Sequence, residues 1–403
     1  MPDNALFLQP VTSNPKRSLF SILLTLTVFA FSVNAVPPLA TTMAKQFGIP
    51  YEVFGYIFAL QYFCFTCASL TGGYLQHRFA LSSRLLVIVG VFSVALLFLA
   101  GSALAGFFWI VLWIIPLGLA GGLTETFSSI MITEFEQENS SRLMNLSQVF
   151  YCAGAIFAPQ LVGIFLDFQI SWRVTFLILA AIVALISVFF SLSTRHRAAW
   201  GDVARTPSAE ASKADSPLAL RHDRLLYLMA ALLFLYVVIE ISSASWIAAY
   251  FEKRFALSAG AAARRLSLFW TGLIIGRGLM VVLPARLTLW PSLLAGTGGM
   301  IVGSGLLAVG WSAASATWAV LIYGIAAGPV WPIIVMLSQC LRQSAQFTSA
   351  VIGIGALRAA AGPLVGSQIL RHLGIGWLFP VLMLGCGALF ALALVTKVTI
   401  WRQ

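Results

Sequence analysis

The sequence predicts an all-α membrane protein in which twelve transmembrane helices form two pseudo-symmetric bundles of six. Three observations predict this fold: an apolar composition, twelve hydrophobic runs of membrane-spanning length, and an internal repeat. Of the 403 residues, 60% are apolar and 9% are charged, and the mean hydropathy is +0.94. Ordinary soluble domains contain about 25% charged residues. A soluble enzyme is therefore excluded, and a polytopic membrane protein is indicated.

The hydrophobic runs set the number of spans, because an α-helix needs about 20 apolar residues to cross the hydrocarbon core. The first run follows Lys16 and Arg17 and is similar to a cleavable secretory signal. Its removal would break the repeat described below, so we interpret it as the first helix. The twelve predicted spans are Leu19 to Leu39, Val53 to Leu75, Leu85 to Ala105, Phe107 to Thr133, Leu146 to Leu166, Trp172 to Ser193, Leu225 to Phe251, Leu266 to Ala285, Leu289 to Trp311, Ala316 to Gln339, Phe347 to Leu370 and Ile375 to Thr396.

The distribution of lysine and arginine predicts the orientation in the membrane. With an even number of spans both termini lie on one side, and that side carries fifteen Lys and Arg against seven on the other. Cytoplasmic segments carry the excess of basic residues. We therefore expect a multi-pass protein of the inner (plasma) membrane with both termini in the cytoplasm.

One long polar segment divides the chain. Residues 194–224 contain Pro207, Pro217, several serines and ten charged residues of both signs, a composition typical of a linker. The predicted organisation is an N-terminal six-helix bundle at residues 1–193, a cytoplasmic linker at 194–224 and a C-terminal six-helix bundle at 225–403.

Glycine and proline recur at a fixed offset between the halves. Gly118 to Gly122 in the fourth span matches Gly324 to Gly328 in the tenth at an offset of 206 residues. Pro159 in the fifth span matches Pro363 in the eleventh at an offset of 204. Two parallel halves, each built from inverted three-helix units, place a substrate site near the midplane where the repeats meet.

Four ionisable residues lie deep within spans: Glu125, Glu240, Arg277 and Arg358. Each costs about 2.5–3.5 kcal/mol at the bilayer centre even on the lenient insertion scale, so each normally faces a cavity or a partner. Burial disfavours the charged form of a carboxyl, and our hypothesis is that Glu125 or Glu240 couples transport to proton movement. The alternative is a static ion pair, such as Glu240 with Arg358. For Arg277 and Arg358 we expect a gating or ion-pair role.

Helical spacing supplies a candidate substrate face around these acids. By the 206 offset, Glu240 aligns with Asn34 and Glu125 aligns with Trp331. Aromatic rings with a few hydroxyls and amides suit a sugar, whose C–H faces stack while its hydroxyls form hydrogen bonds. The candidate substrate-binding residues on these faces are Phe31, Asn34, Tyr236, Ser243, Trp246 and Trp331.

At this point the chain resembles the major facilitator superfamily and, more narrowly, the fucose:proton symporter family and its glucose-transporting relatives. The motifs that carry the resemblance are Gly122-Leu-Thr-Glu125-Thr126, Asn145-Leu-Ser-Gln148-Val-Phe150, Phe269-Trp270-Thr-Gly272-Leu-Ile-Ile-Gly276-Arg277 and Gly328-Pro329-Val-Trp331-Pro332. The resemblance implies that Gln148 and Tyr151 also contact substrate and that Arg78 belongs to an inner gate.

The chain departs from the pattern of that family at three positions. Asn34 replaces an acid in the first span, Tyr151 replaces an amide in the fifth, and His77 replaces the aspartate that precedes Arg78 in the loop after the second. The missing acid argues against fucose itself as the substrate. The missing aspartate argues against the usual inner-gate ion pair.

These observations predict a secondary transporter that works by alternating access, with proton-coupled symport of a small, sugar-like solute. A proton-driven exporter of drugs or metabolites is the alternative, favoured by Gly154 and the following Ala158-Pro159. We expect no enzymatic activity, no cofactor and no metal, because no cysteine or histidine pattern has metal-ligand spacing. The expected partners are the solute, protons or sodium, and the lipid bilayer. The scattered basic residues argue against nucleic acid, and we expect a monomer.

Overall fold

A computed structural model describes residues 15–135, 140–195, 223–282, 289–342, 347–348, 350–351 and 359–401. Within these ranges the regular structure is helical, and no strand occurs. Residues 196–222 of the predicted linker and Arg358 lie outside the described residues.

Seven α-helices make up the described part of the N-terminal half. Serine side chains fix two of the helix starts by capping: Ser82 accepts a hydrogen bond from the backbone N–H of Leu85, and Ser171 accepts one from that of Arg173. The helices are α1 (Pro15–Asn34), α2 (Ala40–Phe47), α3 (Phe54–Phe79), α4 (Ser83–Gly101), α5 (Phe107–Phe135), α6 (Ser140–Asp167) and α7 (Trp172–Ser193), with 3₁₀ turns at Pro37–Leu39 and Tyr51–Val53.

Seven further α-helices make up the described part of the C-terminal half. Asp223 caps the first of them through the N–H of Leu225, and Ser312 and Ser315 form a capping box at another. The helices are α8 (Arg224–Phe255), α9 (Ala259–Val282), α10 (Leu289–Val309), α11 (Ala313–Ala327), α12 (Val330–Arg342), α13 (Ala361–Leu373) and α14 (Leu378–Trp401), with a 3₁₀ turn at Ile375–Trp377.

Ten helical segments of the described residues are long and apolar enough to cross a membrane. The other two predicted spans, the eighth and the eleventh, correspond to α9 and α13, each next to residues outside the described ranges. The chain is a multi-pass membrane protein, as its composition predicts.

Proline breaks two of the predicted spans. The first span was expected to run as one helix to Leu39, but α1 ends at Asn34 and a 3₁₀ turn at Pro37–Leu39 leads into α2. The tenth span is divided between α11 and α12 at Gly328-Pro329. Proline has no backbone N–H and disfavours the helical conformation in the residue before it. Pro116 and Pro159, by contrast, lie inside continuous helices.

The repeated glycines occupy equivalent packing positions in the two halves. Gly118 and Gly122 of α5 pack directly against the backbone of α3, at Gln61 and Phe65. Gly324 and Gly328, in and just after α11, pack in the same way against α9, at Phe269 and Leu273. Because the absence of a side chain lets two backbones approach closely, the repeat in sequence is a repeat in helix packing.

The two halves meet along two helix pairs related by the same pseudo-symmetry. One pair is α3 with α13 and the other is α6 with α9. Each joins the second span of one half to the fifth span of the other. The turn at Pro37–Leu39 also packs against α8 and α9, which brings the end of α1 to the interface.

Candidate functional site

A group of polar side chains lies where the two halves meet, and we refer to it as the central polar cluster. α1, α3 and α6 of the N-terminal half and α8 and α9 of the C-terminal half contribute to it. Its members are Asn34, Tyr62, Gln148, Tyr151, Cys152, Tyr236, Glu240 and Arg277.

Arg277 of α9 joins the halves within this cluster. One guanidinium nitrogen lies 3.5 Å from Oε1 of Gln148 and 3.6 Å from Sγ of Cys152, both on α6. Nε lies 3.4 Å from the carbonyl oxygen of Gly328. Gly276 and Gly328 allow the close approach of α9 to the end of α11, since a Cβ on Gly328 would lie 3.0 Å from the backbone nitrogen of Arg277.

Glu240 of α8 is 8% exposed and lies among hydroxyl groups. Tyr236, one turn earlier, interacts with its side chain, and the Tyr236 hydroxyl donates to the carbonyl oxygen of Ala327 at 3.0 Å. Glu240 interacts electrostatically with Arg277. The ion pairs among the described residues are Glu252 with Lys253, Asp167 with Arg264 and Asp223 with Arg342, so Glu240 and Arg277 are not in direct contact.

Asn34 and Glu240, which the 206 offset aligns, both reach the same tyrosine. Asn34 is the last residue of α1, and its side-chain amide donates to the carbonyl oxygen of Ala30 at 2.9 Å. Tyr151 of α6 interacts with the side chain of Asn34 and, electrostatically, with Glu240. Two repeat-related positions thus meet at the interface between the halves.

Glu125 occupies a separate position on α5. It is only partly buried although it lies deep in the bundle, and its carboxylate is within hydrogen-bonding reach of Thr126. One turn earlier, Gly121 faces Ser32 and Phe29 of α1. The contacts of the central polar cluster do not include Glu125.

The other predicted site residues lie outside the central polar cluster. Ser243 is buried and shares a 3.0 Å hydrogen bond with Tyr323. Phe31 packs in the core, and Trp331 at the start of α12 is partly buried against it. Arg78 is exposed at the end of α3, with its guanidinium carbon 5.8 Å from the ring centroid of Phe79.

Trp246 belongs to the seal between the halves at the end of the bundle away from the termini. Its side chain is fully buried, and its ring nitrogen donates to the carbonyl oxygen of Pro363 at 3.1 Å. The indole ring lies 6.0 Å from the ring of Phe58 and 6.3 Å from that of Tyr51, both in the N-terminal half.

Polar contacts also hold the halves together at this end, which we call the closed end. Thr41 donates to Glu252, Arg264 pairs with Asp167, and Ser258 donates to Asp167 at 3.4 Å. Two more contacts join α13 to the N-terminal half: Ser367 donates to the carbonyl oxygen of Glu52 at 2.8 Å, and Gln368 donates to Tyr56 at 2.7 Å.

Sequence reasoning missed the contacts at the closed end, and also Tyr62 and Cys152. An offset search for glycine and proline detects close backbone packing but does not pair side chains across two different helices. The polar residues Asp167 and Arg264 at the ends of predicted spans were the one available signal. Among the described residues, no group of three or more His, Cys, Asp or Glu could hold a metal ion.

Comparisons with known proteins agree with this architecture. The sequence matches the Major Facilitator Superfamily over residues 22–342. Bypass of stop codon protein 6 of Saccharomyces cerevisiae is 25% identical over 281 residues, covering 65% of this chain and 56% of that protein. This chain therefore spans little more than half the length of that relative.

Solved transporter structures have the same fold. A bacterial homolog of the human lysosomal transporter Spinster, in an inward-facing and occupied conformation, has a TM-score of 0.71 with 16% identity over 97% of both chains. The peptide transporter POT in complex with sulfate has a TM-score of 0.75 with 16% identity, over 100% of this chain and 96% of that one. At this identity the likeness shows the fold alone, and the narrower resemblance to fucose:proton symporters stays a prediction. Since the family match covers most of the sequence, the chain belongs to the Major Facilitator Superfamily of transporters.

Proposed function

We propose that the protein imports a small, polar, sugar-like solute together with protons. The observation that carries this proposal is the position of Glu240, a carboxyl at membrane depth surrounded by hydroxyl and amide groups at the interface between the halves. Such residues in a transporter normally mark substrate or proton pathways. The tyrosines and Asn34 supply the donors and acceptors that a polyol needs.

The mechanism follows from the packing of the two halves. With the closed end sealed, we expect the central polar cluster to open toward the side that carries the termini. Protonation of Glu240 removes its charge and weakens its attraction to Arg277 on the neighbouring helix. Glu240 on α8 and Arg277 on α9 belong to the C-terminal half, whereas α6, which Arg277 also contacts, belongs to the N-terminal half. The protonation state of Glu240 therefore alters the contact between the halves. Glu125 is the second candidate for proton binding.

The test is uptake into proteoliposomes with an imposed inward proton gradient, using a panel of radiolabelled monosaccharides. We expect the wild-type protein to concentrate at least one sugar. We expect Glu240→Gln or Glu125→Gln to abolish concentrative uptake while transport of the sugar down its own concentration gradient persists. Glu52→Gln, which changes an acid at the membrane edge, is the matched control. A sodium gradient in place of the proton gradient identifies the coupling ion. Wild-type concentrative, pH-dependent uptake in both variants would refute the coupling role.

An exporter of drugs or metabolites is the second candidate. The observation that favours it is Gly154 in α6, which begins the stretch that runs to Ala158-Pro159: a Cβ on Gly154 would lie 2.7 Å from Cβ of Ala30, so α6 and α1 pack closely there. Binding of lipophilic cations without binding of any sugar would favour the exporter over the symporter.

A further inference from the structure

Arg277 has more hydrogen-bonding capacity than its surroundings use. A guanidinium carries five N–H donors, and N–H to O hydrogen bonds in proteins are usually 2.7–3.2 Å long. The two oxygen contacts of Arg277 measure 3.4 and 3.5 Å, and the third contact is to the sulfur of Cys152 at 3.6 Å. All three acceptors are neutral. Arg277 lies deep in the bundle, and none of the ion pairs among the described residues includes it.

Arg277 also lies in the place where a solute would bind. Arg277 lies deep in the bundle between α6, α9 and the end of α11, yet its side chain is only partly buried. A charged side chain at membrane depth normally faces the interior of the bundle and marks a substrate or ion pathway. The neighbours of Arg277, namely Gln148, Tyr151 and Glu240, come from both halves.

We propose that Arg277 binds a carboxylate of the transported solute, so that the solute is a sugar acid rather than a neutral sugar. This inference rests on the transport function proposed above. Arginine pairs with a carboxylate through two parallel N–H to O bonds, which are shorter and stronger than bonds to neutral acceptors. The tyrosine hydroxyls and Asn34 then contact the hydroxyl groups of the solute.

A single negative charge fits the site better than a phosphate. The groups that act electrostatically on Arg277 are Cys152, Glu240, Tyr236 and Tyr151, and none of these described residues is a second cation. A phosphate ester carries close to two negative charges at neutral pH, and Glu240 is an acid in the same cluster. One guanidinium balances one carboxylate.

The experiment is the thermal stability of the purified full-length protein with hexose, hexuronate, hexose phosphate or a lipophilic cation. We expect hexuronate to raise the unfolding temperature of the wild-type protein. In Arg277→Gln we expect its affinity to fall on the order of tenfold or more, because the charged partner is lost. Arg265→Gln is the matched control: it removes an arginine of the same helix whose Nε donates to Thr317 at 2.9 Å, and it should bind hexuronate as the wild type does.

A double variant distinguishes two roles for Arg277. Either it binds the carboxylate of the solute, or it only balances the charge of Glu240. If Arg277 only balances Glu240, the variant Arg277→Gln/Glu240→Gln recovers the stability and hexuronate binding lost in Arg277→Gln. If Arg277 receives the solute carboxylate, the double variant stays unable to bind hexuronate. Recovery in the double variant, or unchanged hexuronate binding in Arg277→Gln, would overturn the inference.

The ligand panel distinguishes failure of this inference from failure of the proposed function. Binding of hexose without hexuronate overturns the sugar-acid inference and leaves a sugar transporter. Stronger binding of hexose phosphate than of hexuronate also overturns it. Binding of the lipophilic cation alone overturns both the inference and the proposed import of a sugar-like solute.

Discussion

Trp246 keeps its position because residue 366 has no side chain. A Cβ built on Gly366 overlaps the indole ring of Trp246. The ring is fully buried, hydrogen-bonded to Pro363 and packed against Phe58 of the other half, so it has no room to move aside. The seal at the closed end therefore depends on one glycine of α13.

We predict that Gly366→Ala destabilises the protein by about 1–3 kcal/mol, the usual cost of overpacking a well-packed core. The measurement is the midpoint of thermal unfolding in detergent. Gly387→Ala is the control: position 387 of α14 has nothing within 4 Å of a built Cβ, and alanine is favoured over glycine in a helix by about 1 kcal/mol. Equal midpoints for the wild type and Gly366→Ala would show that the ring can move.

The sequence predicts some residues of the central polar cluster as site residues and not others. The internal offset aligns Asn34 with Glu240, and the structure connects both to Tyr151. Tyr62 and Cys152 could not be predicted in the same way. In a chain that is 60% apolar, an aromatic ring or a thiol on a membrane helix has no periodicity that separates a cavity-facing position from a packed one. Which residues face each other across two helices depends on helix rotation, which the sequence leaves undetermined.

At the level of helices, polar contacts between the halves hold the closed end together, and we call each of these contacts a latch. Each cross-half hydrogen bond contributes about 0.5–1.5 kcal/mol, and partly exposed ion pairs contribute about 0–1 kcal/mol. The latch between α6 and α9 is Asp167 with Arg264, and the latch between α2 and α8 is Thr41 with Glu252. Together they are large enough to shift an equilibrium between two conformations of similar free energy.

We predict that the double variant Asp167→Asn/Thr41→Val populates a state that is open at this end. Spin labels at Lys45 and Arg371, two exposed positions of opposite halves at the closed end, report the opening by pulsed electron paramagnetic resonance. The expected result is a new population at longer distance, because the asparagine removes the charge that pairs with Arg264 and the valine removes the hydroxyl that donates to Glu252, both at nearly constant shape.

The control for this variant is Arg342→Gln. It breaks an ion pair with Asp223 that lies within the C-terminal half, at the end of the bundle that carries the termini. It should leave the distance distribution unchanged. An unaltered distribution in the double variant would show that packing of Trp246 and the glycines alone keeps this end closed.

The helices themselves were predictable wherever hydrophobic length decides them. α4, α7 and α10 begin and end within a few residues of the predicted spans, because each is a single apolar run between polar turns. Spans that contain proline could not be predicted from hydropathy. Pro116 and Pro159 stay within helices while Pro37 and Pro329 accompany breaks, and the difference lies in whether neighbouring helices compensate for the missing hydrogen bond.

For the molecule as a whole, the pseudo-symmetry brings the starts of both halves to the same end of the bundle. Arg17 near the start of α1 donates to Ser193 at the end of α7, at 3.2 Å. Arg342, which ends α12, pairs with Asp223 at the start of α8. Since α1 leads to Thr41 and α8 ends near Glu252, two residues in contact at the closed end, the starts of both halves lie at the opposite end.

We predict that this end is cytoplasmic, so that the described conformation faces inward. The physical reason is the excess of Lys and Arg, fifteen against seven, on the side of the termini. A fluorescent protein that matures only in the cytoplasm, fused after Gln403, should fluoresce. A cysteine in place of Lys45 should react in intact cells with a membrane-impermeant maleimide when the native cysteines are replaced.

The reverse labelling pattern would reverse the topology, and with it the role of the described conformation in transport. If the Lys45 position were protected and a fused reporter lay outside, the closed end would face the cytoplasm and the central polar cluster would be open to the exterior. Arg277 and Glu240 would then receive solute and protons from outside in this conformation. The proton gradient would act on the same carboxyl, but the described state would be the one that loads solute for import rather than the one that releases it.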